Sequence, residues 1–145
     1  MAVADREDPR GGRVIAPVVV DGEGFKIRVE QQHGYLRAYV HDGRDSLEVS
    51  IAMWKLLAEQ CRVHGAKRLL VVEDLESTVA PEDIDKVIDA MEAFGFADIR
   101  TAFVEMQSDL AGSEMGGILA SERGVSIYIS SDEVAARHWL VYGES

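Results

Sequence analysis

Four apolar residues stand in a row, Leu69-Leu70-Val71-Val72, between Arg68 and Glu73. A run without alternation predicts a strand buried on both faces, at a central position in a sheet. An acidic turn follows, Asp74-Leu75-Glu76-Ser77-Thr78-Val79-Ala80, and then a helix entered through Pro81. A strand that ends in a polar loop and a helix start is where α/β proteins usually place their working surface. The rest of the chain has to be arranged around this unit.

Upstream, Arg13 to Val20 is apolar and β-branched, but Pro17 demotes it to an edge strand or an irregular extension. Asp21 to Gly24 is a turn signal. Phe25 to Glu30 alternates apolar and polar as a half-buried strand does, and Tyr35 to Val40 follows a second turn. Asp45, with Glu48 three residues on, has the form of a capping box for a helix over Ser46 to His64. Leu47, Ile51, Trp54, Ala58 and Cys61 share one face of it, widened by Met53, Leu56 and Leu57, and Gly65 stops it. Downstream of the central strand, a helix over Pro81 to Phe94 carries Ile84, Val87, Ile88 and Met91 at helical spacing. Asp98 to Glu105 reads as a strand and Gln107 to Arg123 as a helix weakened by Gly112, Gly116 and Gly117. Val125 to Ile129 reads as a short strand. Ser130 with Glu133 reads as the cap of a last helix running to about Tyr142.

An antiparallel start joined to repeated helix-strand crossovers predicts an α/β fold with a mixed sheet of about five strands. About four helices go with it. The chain has 145 residues, 47% hydrophobic and 28% charged, which suits one domain. Residues 1–12 read as a frayed polar tail and 13–145 as the domain. A net charge of −11 repels nucleic acid and anionic membrane surfaces. The single cysteine, Cys61, excludes an internal disulfide and fits a reducing compartment. No apolar run reaches the roughly 20 residues that span a bilayer, and the N-terminus lacks the apolar centre of a signal peptide. The chain therefore reads as a cytoplasmic protein with no integral membrane segment.

The helix-strand unit Ser46–Asp74 resembles the SpoIIAA-like, or STAS-type, superfamily, in particular its STAS/SEC14-like branch. The resemblance rests on Leu47-Glu48-Val49 at the helix start and Leu70-Val71-Val72-Glu73-Asp74-Leu75-Glu76 at the strand end. Arg123-Gly124-Val125 and the terminal Glu133-Val134-Ala135-Ala136-Arg137-His138-Trp139-Leu140 add to it. It extends from about Phe25 to Val141 and implies helices packed mainly on one side of the sheet. In the anti-sigma-factor antagonists of that superfamily, a serine at the start of the helix after the central strand is phosphorylated, within an Asp-Ser-Ser-Gly type motif. Here the equivalent stretch is Thr78-Val79-Ala80-Pro81-Glu82-Asp83, without a Ser-Gly pair. Ser77 and Thr78 are the nearest hydroxyls, and a phosphate there meets like charge. The phospho-serine switch is therefore not expected.

Two candidate sites emerge. The first is an acidic docking surface for a protein partner: Asp74, Glu76, Ser77, Thr78, Glu82, Asp83 and Asp85. The second is an apolar pocket lined by Trp54, Met106, Met115, Ile118, Leu119 and Trp139, under a glycine-weakened helix able to act as a flap. The histidines His33, His41, His64 and His138 lie on separate elements, and no second pair joins Cys61 and His64 at metal spacing, so no metal, cofactor or catalytic residue is expected. The first functional reading is a non-catalytic regulatory or protein-interaction module of the STAS type. The second, implied by the SEC14-like resemblance, is a binder of a small apolar ligand or lipid. The third is a hydrolytic enzyme using the carboxylates Glu73, Asp74 and Glu76. A homodimer formed through the strand near Pro17 or through the hairpin is compatible with all three.

Overall fold

The computed structural model describes residues 6–7, 13–14, 16–107 and 110–143. Arg6–Glu7 (β1) pairs antiparallel with Arg13–Val14 (β2). The remainder of the tail expected over 1–12 lies outside the described residues. The main sheet has six strands: β3 (Val18–Gly22), β4 (Phe25–Gln32), β5 (Tyr35–His41), β6 (Arg68–Glu73), β7 (Arg100–Glu105) and β8 (Ile127–Ser130). They lie side by side in chain order. β3, β4 and β5 form an antiparallel meander, and β6, β7 and β8 continue it parallel to β5.

The helices are α1 (Leu47–His64), α2 (Ile84–Ala93), α3 (Leu110–Glu122) and α4 (Glu133–Tyr142). The first three lie in the crossovers between the parallel strands. Crossovers of one hand that always step the same way put their helices on the same face. The main core accordingly joins Ile27, Leu36, Val40, Leu69, Val71 and Phe103 of the sheet to Met53, Trp54 and Leu57 of α1 and Ile88 and Met91 of α2. Among the described residues α4 covers the other face, packing Ala136 and Leu140 on Tyr35, Leu70, Val72, Ala102 and Val104. A bidentate ion pair fixes its start: Arg37 Nε and a terminal nitrogen bond the two Glu133 oxygens at 2.7 and 2.9 Å. Arg100 fixes its end, donating to the carbonyls of Leu140, Trp139 and Gly143 with its guanidinium 3.8 Å from the centre of the Trp139 ring.

The central place of Leu69–Val72 and the alternating burial of β4 agree with the pattern of the residues. Several details differ. The sheet has six strands rather than five, because Val18–Gly22 is an edge strand in register with β4, with Pro17 just before it. The cap of α1 is Ser46, whose Oγ accepts from Val49 N–H at 3.1 Å. Asp45 turns inward instead. The burial of α1 is also rotated: Leu47 and Ile51 are half-buried, while Ser50 is buried with Met53, Trp54, Leu57, Ala58 and Cys61. Pro81–Asp83 is a single 3-10 turn, and α2 begins only at Ile84. Phe96–Asp98 is a second 3-10 turn, so Asp98 stands outside β7. α3 is described from Leu110, and residues 108–109 of the expected helix lie outside the described residues. The cap of α4 is Asp132 rather than Ser130. Asp132 Oδ1 accepts from Val134 N–H, and Ser130 Oγ instead accepts from Asp132 N–H.

Candidate functional site

Alternation along β6 decides where its last residue points. Leu69 and Val71 face the helices α1 and α2, so Glu73 faces the same side. β7 repeats this one strand over, where Glu105 is the register partner of Glu73. Two carboxyl groups therefore sit side by side at the carboxyl ends of adjacent parallel strands. Asp45, in the loop between β5 and α1, brings a third. All three are buried, at 9%, 5% and 6% exposure for Asp45, Glu73 and Glu105. The loop that carries Asp45 is braced against the one after β6: Asp45 N–H donates to the Glu76 carbonyl at 2.7 Å and Glu76 N–H to the Gly43 carbonyl at 3.1 Å.

Buried carboxyl groups need partners. Asp45 Oδ1 accepts from Ser50 Oγ and from Ser46 N–H, both at 2.8 Å. Glu105 Oε2 accepts from Ser113 Oγ of α3 at 3.1 Å, and its Oε1 from Gln107 N–H at 3.2 Å. Glu73 hydrogen-bonds Asp45. Burial, then the charges of Asp45 and Glu105, push the Glu73 carboxyl well above the ordinary range. Burial also raises Asp45, against the hydrogen bonds from Ser50, Ser46 and Glu73 that favour its charged form. Burial and its acidic neighbours thus favour the protonated form of Glu73.

These groups form one end of a cavity of about 110 Å³. Trp54, Ile88, Met91, Phe103, Ile127 and Ile129 form its apolar wall, and Gly112, Gly116 and Gly117 of α3 one side. Thr78 and Val79 of the loop after β6 also line it. Among the described residues that line this cavity there is no lysine, arginine or histidine.

The expected apolar pocket is distributed differently. Trp54 lines the cavity, edge-on to Phe96 at 5.1 Å. Leu119 packs half-buried on the main core. Met106, Met115 and Ile118 are exposed, and Trp139 lies on the opposite face of the sheet, stacked on Tyr128. Trp139 is parted from Trp54 and Leu119 because α4 packs on the face of the sheet opposite α1 and α3.

The acidic surface is also divided. Glu76, Ser77, Thr78, Glu82 and Asp85 are exposed and Asp83 is half-buried. Ser77 has a left-handed backbone, φ +65°. Much of the charge is paired internally: Asp83 with Lys86 at 3.0 Å, and Asp85 with Arg123, which also holds Asp89 at 2.6 Å. Asp74 takes the other side of the sheet from Glu73. Its oxygens accept from Tyr39 Oη and Gln107 Nε2, both at 2.6 Å, and these bonds hold its carboxyl below the usual range. Glu73, Asp74 and Glu76 therefore form no common acid/base site. The carboxyl cluster instead draws on Asp45 and Glu105. Its sequence signal is the repeated Val-Glu that ends both β6 and β7.

Among the described residues, no group of three metal-ligating side chains is placed to hold an ion, and no helix is long and apolar enough to cross a membrane. Cys61 lines a separate hollow of about 330 Å³ at the other end of α1, rimmed by exposed Arg62, Lys67 and Asp98. Burial pushes its thiol up to about 12, which leaves it protonated and unreactive. Comparison with family models, curated protein sequences and solved structures returned no match to this chain.

Proposed function

We propose that this chain is a non-catalytic, STAS-type regulatory module that binds a small molecule with an apolar body and a protonated amine. One observation carries the reading. The cavity at the carboxyl ends of the parallel strands has apolar walls and three buried carboxyl groups, with no basic side chain among its described lining. Buried carboxylates are ordinarily paired with a cation. Here a proton on Glu73 offsets part of the charge, and an ammonium group would offset it better.

The size supports a small ligand over a lipid. The space here, about 110 Å³ and open on one side, admits a short branched chain that extends into its mouth. The position supports the STAS-type reading: strands in chain order, α1–α3 on one face, and the cavity under the loop where such a module places its switch. The same loop exposes Glu76 and Ser77, where a basic protein partner would dock beside the ligand site. Binding rather than catalysis is favoured by the hydroxyls. Ser50 and Ser113 each donate to a carboxyl, with no histidine or lysine among the described lining to activate them as nucleophiles.

The test is a titration of three molecules that share one carbon skeleton, followed by amide and indole NMR signals. Isopentylamine should shift the signals of Trp54, Gly116 and Gly117 in a saturable way, isopentanol more weakly, and isovalerate not at all. Asp45→Asn should weaken the amine by about tenfold, the equivalent of about 1.4 kcal/mol. A response equal for amine and carboxylate, or none for any of the three, would sink the reading. Chemical conversion of the amine during the titration would replace it with an acid-base enzyme.

A further inference from the structure

We infer that the hollow where α1 and α2 end is a second binding site, and that it takes a small carboxylate with an apolar body. The inference does not rest on the amine reading, which concerns the opposite end of the parallel strands.

Two glycine turns border the space. Gly65 caps α1 and Gly95 follows α2, both with left-handed backbones, φ +63° and +93°. A Cβ at either would meet no atom within 4 Å. Both line a hollow of about 330 Å³. Ala58, Cys61, Ala66, Phe94 and Ile99 give it apolar walls. The volume is about twice the roughly 150 Å³ of an apolar cavity that takes benzene. A short carbon chain entering it leaves water for an apolar wall.

The polar groups decide the charge of the ligand. The N–H groups of Gly65, Ala66, Gly95, Asp98 and Ile99 are taken, each donating to a carbonyl of its own turn. The Cys61 thiol stays protonated. The side chains of Arg62 and Lys67 are different. Both line the hollow and are exposed, and neither is held by a carboxylate among the described residues. Arg37, Lys86 and Arg123, by contrast, are each committed to an acid. A carboxylate at the mouth would accept from the Arg62 guanidinium, whose fork matches two carboxylate oxygens, with Lys67 as a second donor. Asp98 also lines the hollow, so its charged groups leave one positive charge. That balance, with the negative end of the α1 dipole close by, suits a singly charged acid better than a phosphate.

NMR titration of the full chain with hexanoate, hexanol and hexylamine tests this. Hexanoate should shift the amide signals of Cys61, Gly65, Ala66 and Gly95 in a saturable way, with a Kd on the order of 1 mM. It should leave those of Gly116 and Gly117 in place. At the same four signals hexanol should bind about three- to tenfold more weakly, and hexylamine not at all. Replacing both cations, Arg62→Gln with Lys67→Gln, should bring hexanoate down to the level of hexanol. Both side chains are exposed, so the doubly substituted chain keeps its fold. Equal binding of acid and amine would overturn the site, as would a hexanoate shift that survives the double substitution. So would the absence of a saturable shift up to about 20 mM. The amine reading is judged at Gly116 and Gly117, so each site can fail without the other.

Discussion

The raised Glu73 carboxyl links folding to pH. Its folded carboxyl binds the proton more tightly than the unfolded one does, by burial first and then by the charges of Asp45 and Glu105. The stability this contributes is fully present below the ordinary carboxyl range, and it is lost as pH rises towards the raised value. Glu73→Gln keeps a hydrogen-bond donor towards Asp45 and removes the titration. In urea unfolding it should match wild type at about pH 4 and exceed it at about pH 8 by on the order of 1 kcal/mol. Glu133 has the opposite sign. The hydrogen bonds from Arg37 hold its carboxyl below the usual range, so its contribution is present above that range and lost as pH falls through the depressed value. Because Glu133 is 39% exposed, Glu133→Gln should cost only about 0.5–1 kcal/mol near neutral pH. That cost should vanish in acid and shrink in about 1 M salt. A loss that persists after acid protonates the wild type would show that the residue acts through packing instead.

At the scale of the element, α3 offers a sharp pair of neighbours. A Cβ at Gly116 meets only Ile84 Cγ2, at 3.8 Å, so Gly116→Ala should stabilise by about 0.5–1 kcal/mol through helix propensity. A Cβ at Gly117 lies 2.7 Å from Ile129 Cγ1, close to the backbone of β8. Gly117→Ala should therefore cost about 1–3 kcal/mol despite the same propensity gain. Thermal unfolding of the two variants checks both signs, and a shared sign would contradict the close packing of α3 on β8. Spacing in the sequence marks all three glycines of α3 as helix-weakening. It does not tell one from the next, because the difference lies in a strand ten residues downstream. The caps have the same character. Asp45-x-x-Glu48 has the pattern of a capping box, yet Ser46 caps α1 and the Asp45 carboxyl is drawn in towards Ser50 and Glu73. Local pattern identifies a helix start to within a residue. Which side chain caps depends on what lies beneath.

For the molecule as a whole, the architecture was legible because it rests on periodicity: the unbroken run of β6, the alternation of β4 and the helical stripe of α2 each reappear as burial. The site was legible only in position. Asp45, Glu73 and Glu105 are 28 and 32 residues apart in succession, and their convergence depends on β5, β6 and β7 being adjacent and in register. The expected pocket residues lie apart because an apolar residue type does not say which face of the sheet its helix covers, as for Trp139, nor whether it is covered at all, as for Met106, Met115 and Ile118. The side-by-side order of the strands has one more consequence, for how the chain assembles. Each strand pairs with the one made just before it, so a nascent chain can add β4, β5, β6, β7 and β8 in turn as synthesis proceeds. Only α4 must wait: the Leu70, Val72, Ala102 and Val104 face remains bare until α4 is made. The interval before α4 docks is therefore when the growing chain is most exposed to aggregation.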